Sequence, residues 1–293
     1  MSMDKYIIAA DNMGDLPDDY CEKYRLKRMF LSLLLDGVTY SENNMIDDKV
    51  FYDKMRAGSM PVTSQITPEV AKIKFREFLK ESRDIIFFAV SSGISGTYSS
   101  VFTAAREIME EEKDCRITVI DSLGASMGEG LLIHKALMMR ERGASYEEVV
   151  EWTEKHKLNV VHSFTVSDLF HLHRGGRVSK ATAIVGSLVN IKPVLHVDDE
   201  GRLINIGKVR GRKKSLMALM DSIEAKQGKW AQENIDDCIM ISHGDCYDEV
   251  SWMAEQIKAR YGIKEVLIHY VGSTIGAHTG PGVVALFFMG EER

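Results

Sequence analysis

The sequence predicts an α/β protein of two units, each built on its own sheet. Three observations carry this reading. Short apolar runs alternate with capped amphipathic helices through the first half, the pattern of a parallel sheet with helices on both faces. Past residue 159, two adjacent strand-like runs flank the turn DDEG, a β-hairpin among crossover units that makes the second sheet mixed. The length, 293 residues, favours two domains over one. We therefore expect a Rossmann-like three-layer α/β/α domain with a parallel sheet over 1–158, and an α/β domain with a mixed sheet over 159–293.

The elements follow in order. Residues 6–10 are a short apolar strand ended by Asp11 and the turn-rich NMGDLPDD. The next clear element opens at Thr67-Pro68-Glu69, an N-cap, a first-position proline and an acid. Its apolar positions Ala71, Phe75, Phe78 and Leu79 share one helical face. Residues 85–90 form a buried strand, and the following helix turns Val101, Ala105, Ile108 and Met109 inward. A strand over 116–120 ends at Asp121-Ser122, and a helix through 131–142 stops at Gly143. Ser145 and Glu148 make a capping box for one more helix. In the second unit a strand over 160–166 leads to a short helix ending at RGGR (174–177). Residues 192–197 and 202–209 are the hairpin strands. Helices at 212–226 and 248–260 alternate with strands at 238–242 and 265–271, and an apolar run over 283–289 follows GAHTGPG (276–282).

Bulk properties narrow the function. Net charge is −6, so no global positive field points to nucleic acid as the main partner. The longest apolar runs, such as 85–90 and 283–289, are far short of a membrane span. The first residues reach an aspartate after four apolar positions, unlike a signal peptide. Cys21, Cys115, Cys238 and Cys246 lack zinc-type or CxxC spacing and read as reduced thiols of a cytoplasmic protein.

Chemistry concentrates where strands meet helices. In SSGISGT (91–97) an apolar strand stops and a helix starts, which sets hydroxyls and free N–H groups at a helix N-terminus, a ready anion site. The serine there could instead be a nucleophile or part of a phosphate cradle. Ser95 has Gly93 before it but Gly96 directly after it, so it misses the nucleophile-elbow spacing, and no lysine completes a Walker loop. One cap needs one hydroxyl, whereas Ser91, Ser92, Ser95 and Thr97 supply four. A second cluster, TSQ (63–65), precedes the helix capped at Thr67 and reads alone as a turn. Loops at the carboxyl edge of a parallel sheet gather, so Thr63 and Ser95 can face one small anion. His278, in the glycine-rich GAHTGPG loop, is either an idle loop residue or a donor completing that site.

Other candidates point elsewhere or nowhere. His171 and His173 lack a carboxylate at ligand spacing, so no metal site is expected. Asp11 and Asp15 are four apart and read as turn caps. GASMGEG (124–130) has the wrong glycine spacing for a dinucleotide fingerprint. The basic run KVRGRKK (208–214), with Arg174 and Arg177, suits a solvated face, phosphate recognition or an acidic partner.

Together the motifs resemble the DegV family of bacterial fatty-acid-binding proteins. The resemblance runs in order through TSQ, SSGISGTY (91–98), DSLGASMGEG (121–130), HRGGRVS (173–179), LVNIKPVLHVDDEGRL (188–203), KVRGRKK, SHGD (242–245) and GAHTGPG. The chain departs from the family at Asp11-Asn12, where an Asp-Ser pair is usual, and in a leucine-rich stretch over 30–36. The resemblance implies a cytoplasmic two-domain protein, not itself catalytic, that holds one palmitate- or oleate-like fatty acid between the domains and needs no cofactor. It places the carboxylate near Thr63, Ser95, the Gly96 N–H and His278. It also implies a separate fatty-acid kinase subunit that phosphorylates the bound acid, with Arg177 and Arg210 facing the phosphate or docking the kinase. No nucleic acid and no stable membrane insertion are implied.

The energetics suit that reading. About fourteen methylenes of a C16 acid at ~0.8 kcal/mol each contribute roughly 11 kcal/mol before ordering costs. A carboxylate leaving water needs several donors or it protonates. Two hydroxyls, a helix N–H and a histidine meet that need without a buried permanent charge. The competing readings are a serine-dependent acyl hydrolase or transferase using Ser95 and His278, and an interaction module whose basic loop recognises phosphorylated or nucleic-acid partners.

Overall fold

The structure is a computed structural model and describes residues 6–167, 169–179 and 190–293; Leu188 and Val189 of the long motif lie outside them. The strands are β1 (Ile7–Asp11), β2 (Lys27–Met29), β3 (Ser32–Leu35), β4 (Val38–Tyr40), β5 (Val62–Ser64), β6 (Asp84–Ala89), β7 (Arg116–Asp121), β8 (Val160–Thr165), β9 (Ile191–Val197), β10 (Leu203–Arg210), β11 (Ile239–His243), β12 (Val266–Tyr270) and β13 (Val284–Met289). The helices are α1 (Asp18–Lys23), α2 (Asp48–Arg56), α3 (Pro68–Phe78), α4 (Thr97–Glu111), α5 (Met127–Glu141), α6 (Tyr146–His156), α7 (Phe170–Arg174), α8 (Arg212–Lys226), α9 (Ala231–Asp236), α10 (Tyr247–Tyr261) and α11 (Ser273–Thr279).

The α/β class stands as expected. The first sheet is parallel, in the order β2-β1-β6-β7. The second is mixed, in the order β10-β9-β8-β13-β11-β12, with β11 and β12 parallel and the other pairs antiparallel. The caps read from sequence form: Thr67 Oγ1 accepts the Val70 N–H, and Ser145 with Glu148 makes the capping box. Gly143 takes φ +89°, the left-handed conformation that stops α5.

Side-chain alternation along each strand divides the core into layers. In the first sheet Ile7, Ala9, Phe87 and Val119 pack on α3 and α4, while Ile8, Ala10, Phe88 and Ile120 face α5. In the second, Val284, Leu286 and Phe288 pack on α8 and α10, while Ala285, Phe287 and Met289 belong to the same core as α5. Helix α5 therefore lies between the sheets and is buried nearly all round, as a helix packed on both sides must be. Burying Leu131, Leu132 and Leu137 there contributes about 1.5–3 kcal/mol apiece.

Three polar residues of α5 find partners across this core. His134 Nδ1 meets Tyr20 OH at 2.5 Å and its Nε2 meets Asp237 at 2.8 Å. Lys135 donates to Glu233 and Asp237, and Arg140 donates to the Tyr24 carbonyl. Glu129 differs: it is fully buried and neither carboxylate oxygen has a hydrogen-bond partner.

The sequence reading needs three corrections. Thr63 and Ser64 of TSQ are not a turn but part of β5, the third strand of a small antiparallel sheet in the order β4-β3-β5. A run of three residues is too short to show a strand period of its own; pairing with Ser32–Leu35 makes the strand. GAHT is not loop but the last turn of α11, so His278 is helical. Asp15 is no turn cap, since it accepts from Ser126 Oγ and the Gly272 N–H, far along the chain. Asp11 does cap, accepting from the Met13 N–H.

Burial, then the nearby Asp11, Asp15 and Asp121 charges, push the Glu129 carboxyl well above the usual range. In the window above the unfolded Glu pKa, the folded state binds more protons than the unfolded one. Stability then falls as pH rises, by about 1.4 kcal/mol per unit for this group. Glu129→Gln is expected to unfold at higher urea concentration than the wild type at pH 8, with the gap closing toward pH 5. Parallel pH profiles for the two proteins would contradict it.

Candidate functional site

A chamber lies between the two sheets at the amino end of α5, lined by Thr63 and Gln65, by 94–96 and 125–126, and by the second sheet, α7 and α11. Its volume, about 190 Å³, is many times the ~10–15 Å³ a single water needs, so it is more than a packing defect.

One wall is the turn from β6 into α4. Asp11 anchors its start by accepting from the Val90 N–H at 2.8 Å. Ser91 Oγ donates to the Gly201 carbonyl at 2.8 Å and accepts from the Gly93 N–H, so this hydroxyl ties the β9–β10 turn to the first sheet. Ser95 Oγ accepts from the Thr97 N–H at 3.2 Å and donates to Thr97 Oγ1 at 3.0 Å. The surplus of hydroxyls thus has a largely structural cause: Ser91 and Thr97 are buried, and it is Ser95 and Gly96 that line the chamber. Gly96 is the N-cap of α4 and has no side chain to cap it. A Cβ there would lie 2.1 Å from Gln65 Oε1, because the Gln65 carboxamide crosses this position to donate to Ser100 Oγ.

The facing wall is β5 and α11. Strand alternation turns Thr63 inward while Val62 and Ser64 stay exposed. Thr63 Oγ1 and His278 Nε2 are 2.9 Å apart. His278 Nδ1 is buried without a hydrogen-bond partner. A Cβ on Gly175 would lie 2.1 Å from that nitrogen, which accounts for glycine after α7. Burial, then the positive charges of Arg177 and Arg174, lower the His278 pKa to about 4, so the ring is neutral at pH 7.

Arg177 lines the same chamber rather than an outer surface. Its Nε donates to the Ile94 carbonyl at 3.0 Å, and Nη1 donates to the Gly175 carbonyl. Burial lowers its pKa, and no carboxylate among the described residues partners it. A permanent charge therefore stands beside Thr63, Ser95, Gly96 and His278, contrary to the expectation of a site without one. Arg210 is not brought here; it sits exposed at the end of β10, opposite Ile191.

Away from this end the lining is largely apolar, including Phe164, Leu172, Val197, Leu203, Ala285 and Phe287. His162 interrupts it, donating through Nδ1–H to the Val160 carbonyl at 2.9 Å and accepting from the Ala125 N–H at 3.3 Å. Burial lowers its pKa to about 3. A Cβ on Gly128 would lie 2.0 Å from His162 Nε2, so GASMGEG needs glycine for this packing. Sequence reading missed His162, Gln65 and Ser126 as lining residues; a histidine inside the apolar run VVHSFT was the one available signal. Among the described residues His134, Asp237 and Cys238 group closely enough to ligate a metal, yet both His134 nitrogens are already engaged.

Comparison with known proteins completes the description. The family model described as "Uncharacterised protein, DegV family" matches residues 5–291. A DegV domain-containing protein of Clostridium perfringens is 38% identical over 99% of both chains. A DegV family protein from Thermus thermophilus, described by its fatty acid binding, superposes with a TM-score of 0.85 at 29% identity, covering 98% of this chain and 99% of its own. A stearic acid-binding protein from Eubacterium ventriosum gives a TM-score of 0.85 at 25% identity, covering 98% of each chain.

The buried, neutral His278 makes a measurable statement. Its side-chain NMR resonances should titrate with a midpoint of about 4 in the ligand-free protein. Between that value and the ordinary ~6.5 the unfolded state binds more protons, so this residue's contribution to stability is lost as pH falls. A midpoint near 6.5 would contradict its burial against Arg177.

Proposed function

This chain belongs to the DegV family, and on that premise we propose that it binds one long-chain fatty acid and presents it to a separate kinase. The observation that carries the reading is the two-ended chamber. Thr63, Ser95, Gly96, His278 and the guanidinium of Arg177 converge at one end, and apolar side chains from the second sheet, α7, α11 and loops of the first half line most of the rest. The polar end supplies the donors that a carboxylate needs on leaving water, assisted by the amino end of the fifteen-residue α4. Ser95 has one hydroxyl proton, held by Thr97 here and free to turn toward a ligand oxygen. The saturated C18 acid named for the Eubacterium ventriosum relative is the model for the ligand class.

Binding, rather than attack by Ser95, fits the hydrogen bonds. His278 meets Thr63 and Ser95 meets Thr97, so the two do not form a nucleophile–base pair. In this reading residues 1–158 and 159–293 are the two domains that close on the ligand, and the exposed Arg210 with its basic neighbours docks the kinase. In that complex a carboxylate oxygen would attack the terminal phosphorus of a nucleoside triphosphate held by the kinase, forming the acyl–O–P bond as the P–O bond to the departing nucleoside diphosphate breaks. No helix among the described residues is long and apolar enough to cross a membrane.

Solvent extraction of the purified protein followed by mass spectrometry should release a long-chain fatty acid. A protein that yields none and takes up neither added palmitate nor oleate would end this proposal. Ser95→Ala removes one hydrogen bond to a charged group, so affinity should fall by about 10- to 100-fold. A serine-dependent burst with an activated ester would instead favour a hydrolase. Arg210→Ala should leave lipid binding intact and slow phosphorylation by a cognate kinase; an unchanged rate would remove Arg210 from that role.

A further inference from the structure

The turn that carries Ser95 does not hold its shape alone. Its outer side is covered by the tip of the β9–β10 hairpin, whose backbone approaches so closely that a Cβ on Gly93 would lie 2.5 Å from the Glu200 carbonyl oxygen. The approach is mutual: Gly201 takes φ +73°, and a Cβ there would lie 1.9 Å from Ser91 Oγ. Ser91 holds both sides, donating to the Gly201 carbonyl through Oγ and accepting the Ser95 N–H at its own carbonyl, 3.1 Å away. The tip therefore bears on the segment that ends in Ser95 and Gly96.

A second side chain holds the tip from the other side of the turn. Arg293 is buried, and its guanidinium donates through Nη1 to the carbonyls of Leu123 at 2.6 Å and Asp198 at 2.9 Å. Nη2 donates to the Lys157 carbonyl at 2.9 Å and reaches the Ser122 carbonyl at 3.5 Å. A single planar fork thus joins the loop after β7, the hairpin turn and the segment before β8. Lysine could not copy this, because an ammonium on a flexible stem is a point charge without the fixed fork. The loop after β7 is itself bound to the Ser95 turn, since Asp121 Oδ1 accepts from both the Ser92 and Leu123 N–H groups at 3.1 Å.

We propose that Arg293 is a positioning residue for the headgroup site: by locking the β9–β10 tip against Gly93, it sets where the Ser95 hydroxyl and the Gly96 N–H stand. Arg293 is absent from the chamber lining and acts through contiguous contacts, not on the ligand. The inference rests on the fatty-acid reading above and adds a residue to it.

Its signature is selective loss at the charged end. Titration of the full-length protein with oleate and with oleyl alcohol, which shares the tail but lacks the carboxylate, separates headgroup from chain. Arg293→Ala should weaken oleate binding by about tenfold, the worth of one misplaced charge-assisted hydrogen bond, and change the alcohol less than twofold. Arg293→Lys should recover only part of the loss. Equal losses for both ligands would overturn the proposal, as would unchanged oleate affinity or full recovery with lysine. Should Arg293→Ala not fold, Gly93→Ala displaces the tip from the opposite side and must show the same selectivity, or the proposal fails. A wild-type protein that binds neither probe would defeat the fatty-acid reading itself, and the role of Arg293 would fall with it.

Discussion

Helix α5 packs on both sheets at once, and the rest of the architecture follows from that contact. A sheet face left without a partner exposes apolar surface, and here one helix is shared between the inner faces of two. The sheets are held apart by roughly the width of that helix, and its length sets how much of the gap is filled. Beyond its amino end the gap stays open, and that opening is the chamber. The same constraint explains why α5 carries buried polar residues. His134, Lys135 and Arg140 reach across to partners on α1, on α9 and beside it, and on the segment after α1. They tie together parts of the chain that have no backbone connection.

The electrostatics of the polar end are graded. His278 is held neutral by burial and by two arginines, so it contributes a dipole and no charge. Arg177 supplies the one lining cation among the described residues, and it is already bound to two carbonyls. Donors at this end are fixed in place by other contacts, which lowers the entropic cost of assembling them around an anion. Because carbonyls anchor Arg177 and no acid among the described residues pairs with it, its charge is not cancelled within the chamber. A bidentate grip needs two N–H groups on one guanidinium edge, and the Ile94 and Gly175 carbonyls already hold Nε and Nη1.

Glycines do the steric work of the site at three positions where a side chain would collide. Gly96 admits the Gln65 carboxamide, Gly175 admits His278, and Gly128 admits His162. Each lies in a motif that looked chemical in the sequence, and each turns out to permit close packing around a polar group. In GASMGEG, Gly124 and Gly128 seat the start of α5 against His162 of the second sheet.

The alternation of strands and helices, the Thr67 and Ser145 caps, the stop at Gly143 and the hairpin were legible because each depends on residues a few positions apart. So were the residue types of the polar end, since hydroxyls and glycine at a strand-to-helix turn suggest an anion site wherever they occur. The small sheet was not legible, because Val62–Ser64 becomes a strand only through its register with Ser32–Leu35. Nor was the place of Arg177, which a basic-residue count groups with Arg210 although the fold turns one into the chamber and leaves the other exposed. What the sequence determined by itself is local: which segments pair with their own neighbours and which side chains can serve as donors. Tertiary structure alone decided which of those donors meet, because residues 63, 95, 177 and 278 approach one another only when two sheets close on the same helix.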